Sequence, residues 1–194
     1  ADCELRALEG LLWREIPPER LAELARYGDE PSLATAAKEG AATPAGGVTV
    51  LGAVCLADGW SVGALSCQLD RFQAGRAETL ARALAPRASR RFPAPLTLAV
   101  DSIAAEVSLR IVRSPTEQVR MEALLREILH NAVGHRSYRE SLLDTPLVVR
   151  CWTDAVEVES PGGLAGEVTL EERWFRGRWS RNPRLMALLA RYLI

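Results

Sequence analysis

Lysine is almost missing from this chain: Lys38 is the single example, and the other permanent cations are all arginine. Arginine and alanine abound, a pattern of GC-rich bacterial coding that carries no information about fold. Long hydrophobic runs are missing as well. None approaches the roughly 20 apolar residues that a membrane span needs. The opening Ala-Asp-Cys-Glu-Leu-Arg lacks the basic-then-apolar order of a signal peptide. No sign of charge dominates. The formal net charge is −1, so the whole-chain field does not announce a nucleic-acid partner. The four cysteines, Cys3, Cys55, Cys67 and Cys151, include no CxxC pair, and no histidine-rich cluster accompanies them. No zinc site is expected. Cys55 and Cys67 could meet across a hairpin, but the preferred reading is buried, reduced thiols in a cytoplasmic protein.

The 194 residues suffice for one large domain or two small ones. At 48% hydrophobic and 25% charged, the composition is that of an ordinary globular protein. Residues 1–40 read as helical, with Leu5, Leu8, Leu11 and Leu12 at helix spacing and a second stripe through Leu21, Leu24 and Ala25. Pro17-Pro18 and Asp29-Glu-Pro31 are breaks. Residues 40–47 are a loop by composition. Val48–Leu56 reads as an apolar strand, turned by Asp58-Gly59 into a second strand over Ser61–Leu69, which together make a hairpin. Arg71–Arg91 is arginine-rich, with a short helix at Ala77–Ala85. Its Arg71, Arg76, Arg82, Arg87, Arg90 and Arg91 read as solvated surface, phosphate binding being the lesser alternative.

From Leu96 a helical stripe returns through Val100, Ile103, Val107 and Ile111. Ser114-Pro115-Thr-Glu117 has the spacing of a capping box, and launches a helix to about Val133 with Gly134 as its C-terminal cap. On it Met121, Leu124, Leu125, Ile128 and Ala132 form an apolar arc, with Glu127 and Asn131 at its edge. Pro146–Trp152 and Ala155–Ser160 alternate as an antiparallel hairpin with one wet face. Thr169–Phe175 reads as a short helix. Asn182-Pro183 caps a last helix whose Leu185, Leu188, Leu189 and Tyr192 face inward.

The densest information lies in Glu127-Ile-Leu-His130-Asn131-Ala-Val-Gly-His135-Arg136. On a helix, Glu127 and Asn131 stand one turn apart. A carboxylate can orient water, and a carboxamide oxygen can hold a hard cation. A generic enzyme using Glu127 and His135 as acid and base has no nucleophile or metal cluster behind it.

Three motifs in order, Ala123–Tyr138, then Val156-Glu-Val-Glu-Ser160-Pro161-Gly162-Gly163-Leu164, then Ser180-Arg-Asn182-Pro183, resemble bacterial proteins labelled RecG-like ATP-dependent helicases or transcriptional regulators. The central domain of that family is similar to the GHKL (histidine-kinase-like) ATPases, which include gyrase B, the MutL mismatch-repair protein and histidine kinases. The resemblance covers roughly residues 95–194 and is loose over 1–90. It implies an α+β, two-layer sandwich: an antiparallel or mixed sheet with helices mainly on one face in 91–194, preceded by a helical and hairpin segment in 1–90. It implies ATP and magnesium as ligands. Glu127 would activate water, Asn131 would hold magnesium, Ser160, Gly162 and Gly163 would approach the nucleotide, and Arg136 would lie near phosphate. Two departures stand out. Ser160 replaces the adenine-reading aspartate of the family, and no glycine-rich lid or Walker P-loop follows. The resemblance therefore implies a nucleotide-binding module with weak or no hydrolysis, or an interaction domain that keeps the fold without the ligand. It also implies a fragment of a longer cytoplasmic protein that meets DNA only through further domains, has no membrane partner and forms a homo-oligomer at most.

Overall fold

A computed structural model describes residues 5–16, 32–56, 65–163 and 180–192. Their order is β1 (Ala7–Leu12), a 3-10 turn (Trp13–Glu15), α1 (Leu33–Glu39), β2 (Gly47–Thr49), α2 (Val50–Leu56), β3 (Ser66–Arg71), α3 (Arg76–Ala81), β4 (Ala88–Pro93), α4 (Leu96–Ile111), α5 (Pro115–His135), a second 3-10 turn (Glu140–Leu142), β5 (Leu147–Cys151), β6 (Val156–Glu159) and α6 (Pro183–Tyr192). The fold is α+β. One sheet has the order β4-β3-β5-β6, with β3 and β5 parallel and the other pairs antiparallel. A two-stranded sheet, β1-β2, lies apart.

Period-two alternation divides the mixed sheet. Cys67, Leu69, Phe92, Leu147, Val149 and Cys151 are buried and join one apolar cluster with α4, α5 and α6. The opposite face is polar. There Arg150 bonds Glu157 and Glu159, each at 2.7 Å, and Gln68 donates to both Asp70 oxygens at 3.0 and 3.1 Å. Helix α4 packs on β3 and β4, and α5 packs on α4 and β6. Helices on an apolar face and water on a polar one are compatible with a two-layer sandwich. The main sheet draws strands from both sides of residue 91.

Several expectations are corrected. Leu8 and Leu11 are buried, but on strand β1 rather than a helix. Ala7 and Leu12 pair with Thr49 and Gly47, so a partner strand overrides the helical spacing. Val48–Leu56 is no single strand. β2 ends at Thr49, and α2 begins at Val50 with all seven of its residues buried. A wholly apolar run carries no periodicity to separate helix from strand. Thr49 itself makes the change: its hydroxyl donates to the Gly40 carbonyl at 2.6 Å and accepts from the Gly52 amide. Strand β4 lies hidden at the end of the arginine-rich segment, and Phe92 is the one buried residue of the strand. The Asp58-Gly59 turn, Pro17–Tyr27 and Thr169–Phe175 lie outside the described residues. The stripe of α4 and the 146–160 hairpin are where the sequence puts them.

Candidate functional site

Helix α5 positions the two residues singled out for chemistry. Its buried stripe is Leu125, Leu129 and Val133, packed toward α4 and the sheet. Leu124 and Ile128 are 50% and 41% exposed, so the apolar arc is rotated from the sequence expectation. Glu127 and Asn131 each lie two residues from Leu129, about 160° round the helix. They stand on the open face, both exposed, rather than at the core edge. Neither makes a side-chain hydrogen bond or ion pair among the described residues. They are one turn apart, about 6 Å along the axis.

The start and end of α5 also differ from expectation. Ser114 is the N-cap and Pro115 the first helical residue, but the Ser114 side chain accepts no capping bond. Instead Gln118 Nε2 donates to the Val112 carbonyl at 3.3 Å. Gly134 is no cap, because the helix continues through His135. A Cβ at Gly134 would run into the sulfur of Met186 on α6, so the glycine permits close helix packing.

The end of α5 is closed by side chains from far along the chain. The last four carbonyls of a helix have no internal partner. Here Ser160 Oγ donates to Ala132 O at 2.9 Å, and Tyr138 Oη donates to Val133 O at 2.8 Å. Asn182 Nδ2 donates to Gly134 O and Arg136 O, each at 2.8 Å. The Asn182 amide nitrogen, just before α6, therefore finishes α5. The Ser137 amide donates to Pro161 O at 2.8 Å, which fixes the glycine turn against the helix end. Gly162 has φ +107°, and a Cβ there would lie 2.6 Å from Ser137 Cβ, so both conformation and space demand glycine. Gly163 has open space around its Cα, and its carbonyl accepts from Arg181 Nη2 at 2.6 Å. Three sequence motifs thus meet at one place, the C-terminal end of α5. The turn begins to touch the helix one residue past Asn131.

Arg136 takes a position that its place in the motif does not suggest. It is fully buried, and Nη2 donates to the carbonyls of Leu142, Leu143 and Thr145 at 3.1, 2.8 and 2.7 Å. Its guanidinium lies 5.4 Å from the Tyr138 ring centre, and its Nε and Nη1 have no hydrogen-bond partner among the described residues. Burial pushes its pKa down, opposed by Tyr138 and Cys67. The group ties the Glu140–Leu142 turn to α5 and does not face the Glu127 surface. His130 is buried too, with Nδ1 2.8 Å from the Arg126 carbonyl, and burial lowers its pKa. Cys67 is pushed up to about 12 by burial. Sequence reasoning missed the joint role of Tyr138, Ser160 and Asn182. Its only signal was that all three fall within the recurring motifs.

No family model, no curated protein and no solved structure matches this chain. Among the described residues no helix is long and apolar enough to cross a membrane.

Proposed function

We propose that the chain is a nucleotide-binding module that takes ATP with magnesium beside α5 and hydrolyses it slowly or not at all. The observation that carries the reading is the docking of the Ser160–Gly163 turn on the end of the helix that presents Glu127 and Asn131. It joins, in one neighbourhood, the motifs whose order resembles the GHKL ATPases. The donor chemistry fits. A carboxylate and an amide oxygen, unengaged and one turn apart, suit a hard cation that keeps its waters and phosphate oxygens. Magnesium would supply charge neutralisation of the phosphates. Asn131 would hold the cation and Glu127 would orient water. Ser160 donates its proton to Ala132 O, so its oxygen is left to accept, as the amino group of adenine requires. The negative end of the α5 dipole also favours a donor there over a phosphate. Arg136 acts in this reading as a positioning residue, holding the helix end rather than the ligand.

Slow turnover follows from what surrounds Glu127. No side chain among the described residues fixes it, and rapid phosphoryl transfer depends on positioning and charge neutralisation. The alternative, an interaction domain that keeps the fold without the ligand, draws on one observation: Ser160, Tyr138 and Asn182 are all explained as closures of α5. Calorimetric titration of ATP, with and without magnesium, separates the two. Magnesium-dependent binding that weakens roughly ten-fold in Asn131→Ala supports the module. Absence of heat under both conditions, in a protein folded by circular dichroism, leaves the interaction domain.

A further inference from the structure

Residues 71–93 hold six arginines against one glutamate, in a chain of net charge −1. Arg71, Arg76 and Arg82 pair with Glu106, Glu157 and Glu78, while Arg87, Arg90 and Arg91 lie on or just before β4. Among the described strands β4 is an edge, paired only with β3. One row of its backbone N–H and C=O groups therefore has no strand partner among the described residues. Ser89, Arg90 and Arg91 are exposed, as is Arg87 just before the strand. Arg90 shares the side of Phe92, lies 4.5 Å over its ring and sits 3.8 Å from Glu106. Arg91 is on the other face, in register with Gln68. Arg87 and Arg91 form no ion pair among the described residues. Leu80 and Leu84, on α3 and the turn leading to β4, are 62% and 41% exposed.

We propose that the β4 edge is a docking strand for an acidic, extended peptide segment of a partner protein, which adds to the sheet beyond β4. A free edge offers alternating donors and acceptors that another extended backbone matches. Acidic side chains on alternate faces of the added strand would fall beside Arg90 on one face and Arg91 on the other. The two exposed leucines give apolar contact at one end. A single-stranded nucleic acid would engage the arginines but leave the backbone edge unpaired. The one aromatic ring on β4, Phe92, is buried and offers bases no stacking platform. The same arginines oppose edge-to-edge pairing with a second copy, because like charges would face each other.

The probe is a capped, fluorescently labelled peptide of repeated Val-Glu-Glu-Val, whose adjacent glutamates point to opposite faces of a strand, followed by anisotropy and by amide hydrogen exchange. It should bind saturably, more weakly as salt is raised, and should slow exchange across residues 88–93. The pair Arg87→Glu and Arg91→Glu should weaken it roughly ten-fold or more. Both side chains are exposed and unpaired, so the variant keeps its fold, as circular dichroism will verify. A second peptide with the same side chains, N-methylated at every residue, should not bind, because it lacks main-chain donors on both edges. Equal binding by the methylated peptide, indifference to the charge reversal, or no binding of the parent peptide overturns the proposal. So does preferential capture of a poly-thymidine oligonucleotide by the same arginines.

Discussion

At the scale of single residues, the end of α5 shows how much one hydroxyl or amide can hold. Tyr138→Phe keeps the ring and removes one buried hydrogen bond, leaving Val133 O with only the backbone amide of Arg136. The expected loss is about 1 kcal/mol in urea unfolding. Asn182→Ala removes two such bonds at once and should cost about 2–3 kcal/mol by the same measurement. His130 sets a pH dependence. Its folded pKa lies below the ordinary 6.5, so the unfolded chain takes up a proton more readily than the folded one. Stability is therefore full above about pH 6.5 and falls as pH drops below it. Thermal melts from neutral to mildly acidic pH should show this slope. His130→Gln, which cannot titrate, should flatten that part of the profile.

Between elements, two glycines act through the space they leave. Gly134→Ala should gain about 1 kcal/mol of helix propensity and lose more by overlap with Met186, for a net loss of about 1–2 kcal/mol. Pairing it with Met186→Ala should recover part of that loss, a coupling that a double-mutant cycle reads directly. In α2, a Cβ at Gly52 would meet the Ala41 carbonyl, backbone that cannot swing aside, so Gly52→Ala should cost about 3 kcal/mol. Which elements the sequence disclosed follows the same physics. α4 and the β5–β6 hairpin were legible because each has one buried and one wet face, and period alone reveals that. α2 was not, because seven buried residues in a row have no period. The rotation of α5 was hidden for a related reason. Leu124 and Ile128 are as apolar as Leu125 and Leu129, and only the placement of α4 and the sheet decides which pair is covered. Of the site, the residues near one another in sequence were legible. The bonds from Ser160 and Asn182 were not, since they span 28 and 48 positions.

For the molecule as a whole, one apolar cluster runs from Leu8 through the sheet to Leu189. Cys55, Cys67 and Cys151 are buried within it and form no disulfide among the described residues. Cooperative unfolding of such a cluster implies that the three thiols become reactive together. Thiol labelling in native buffer should be slow at all three and should accelerate at one denaturant concentration, resolved by mass spectrometry. Staggered labelling would instead show that parts of the core open separately. The closure of α5 has a further consequence, in time rather than in energy. A helix of 21 residues can grow from its own sequence, but its final carbonyls wait for β6 and α6 to arrive. Long-range closures of this kind form late, because the loops must be ordered first. Substitutions at Ser160 and Asn182 should therefore speed unfolding and leave the refolding rate nearly untouched. Those at Leu125 and Leu129, where α5 first meets its neighbours, should slow refolding.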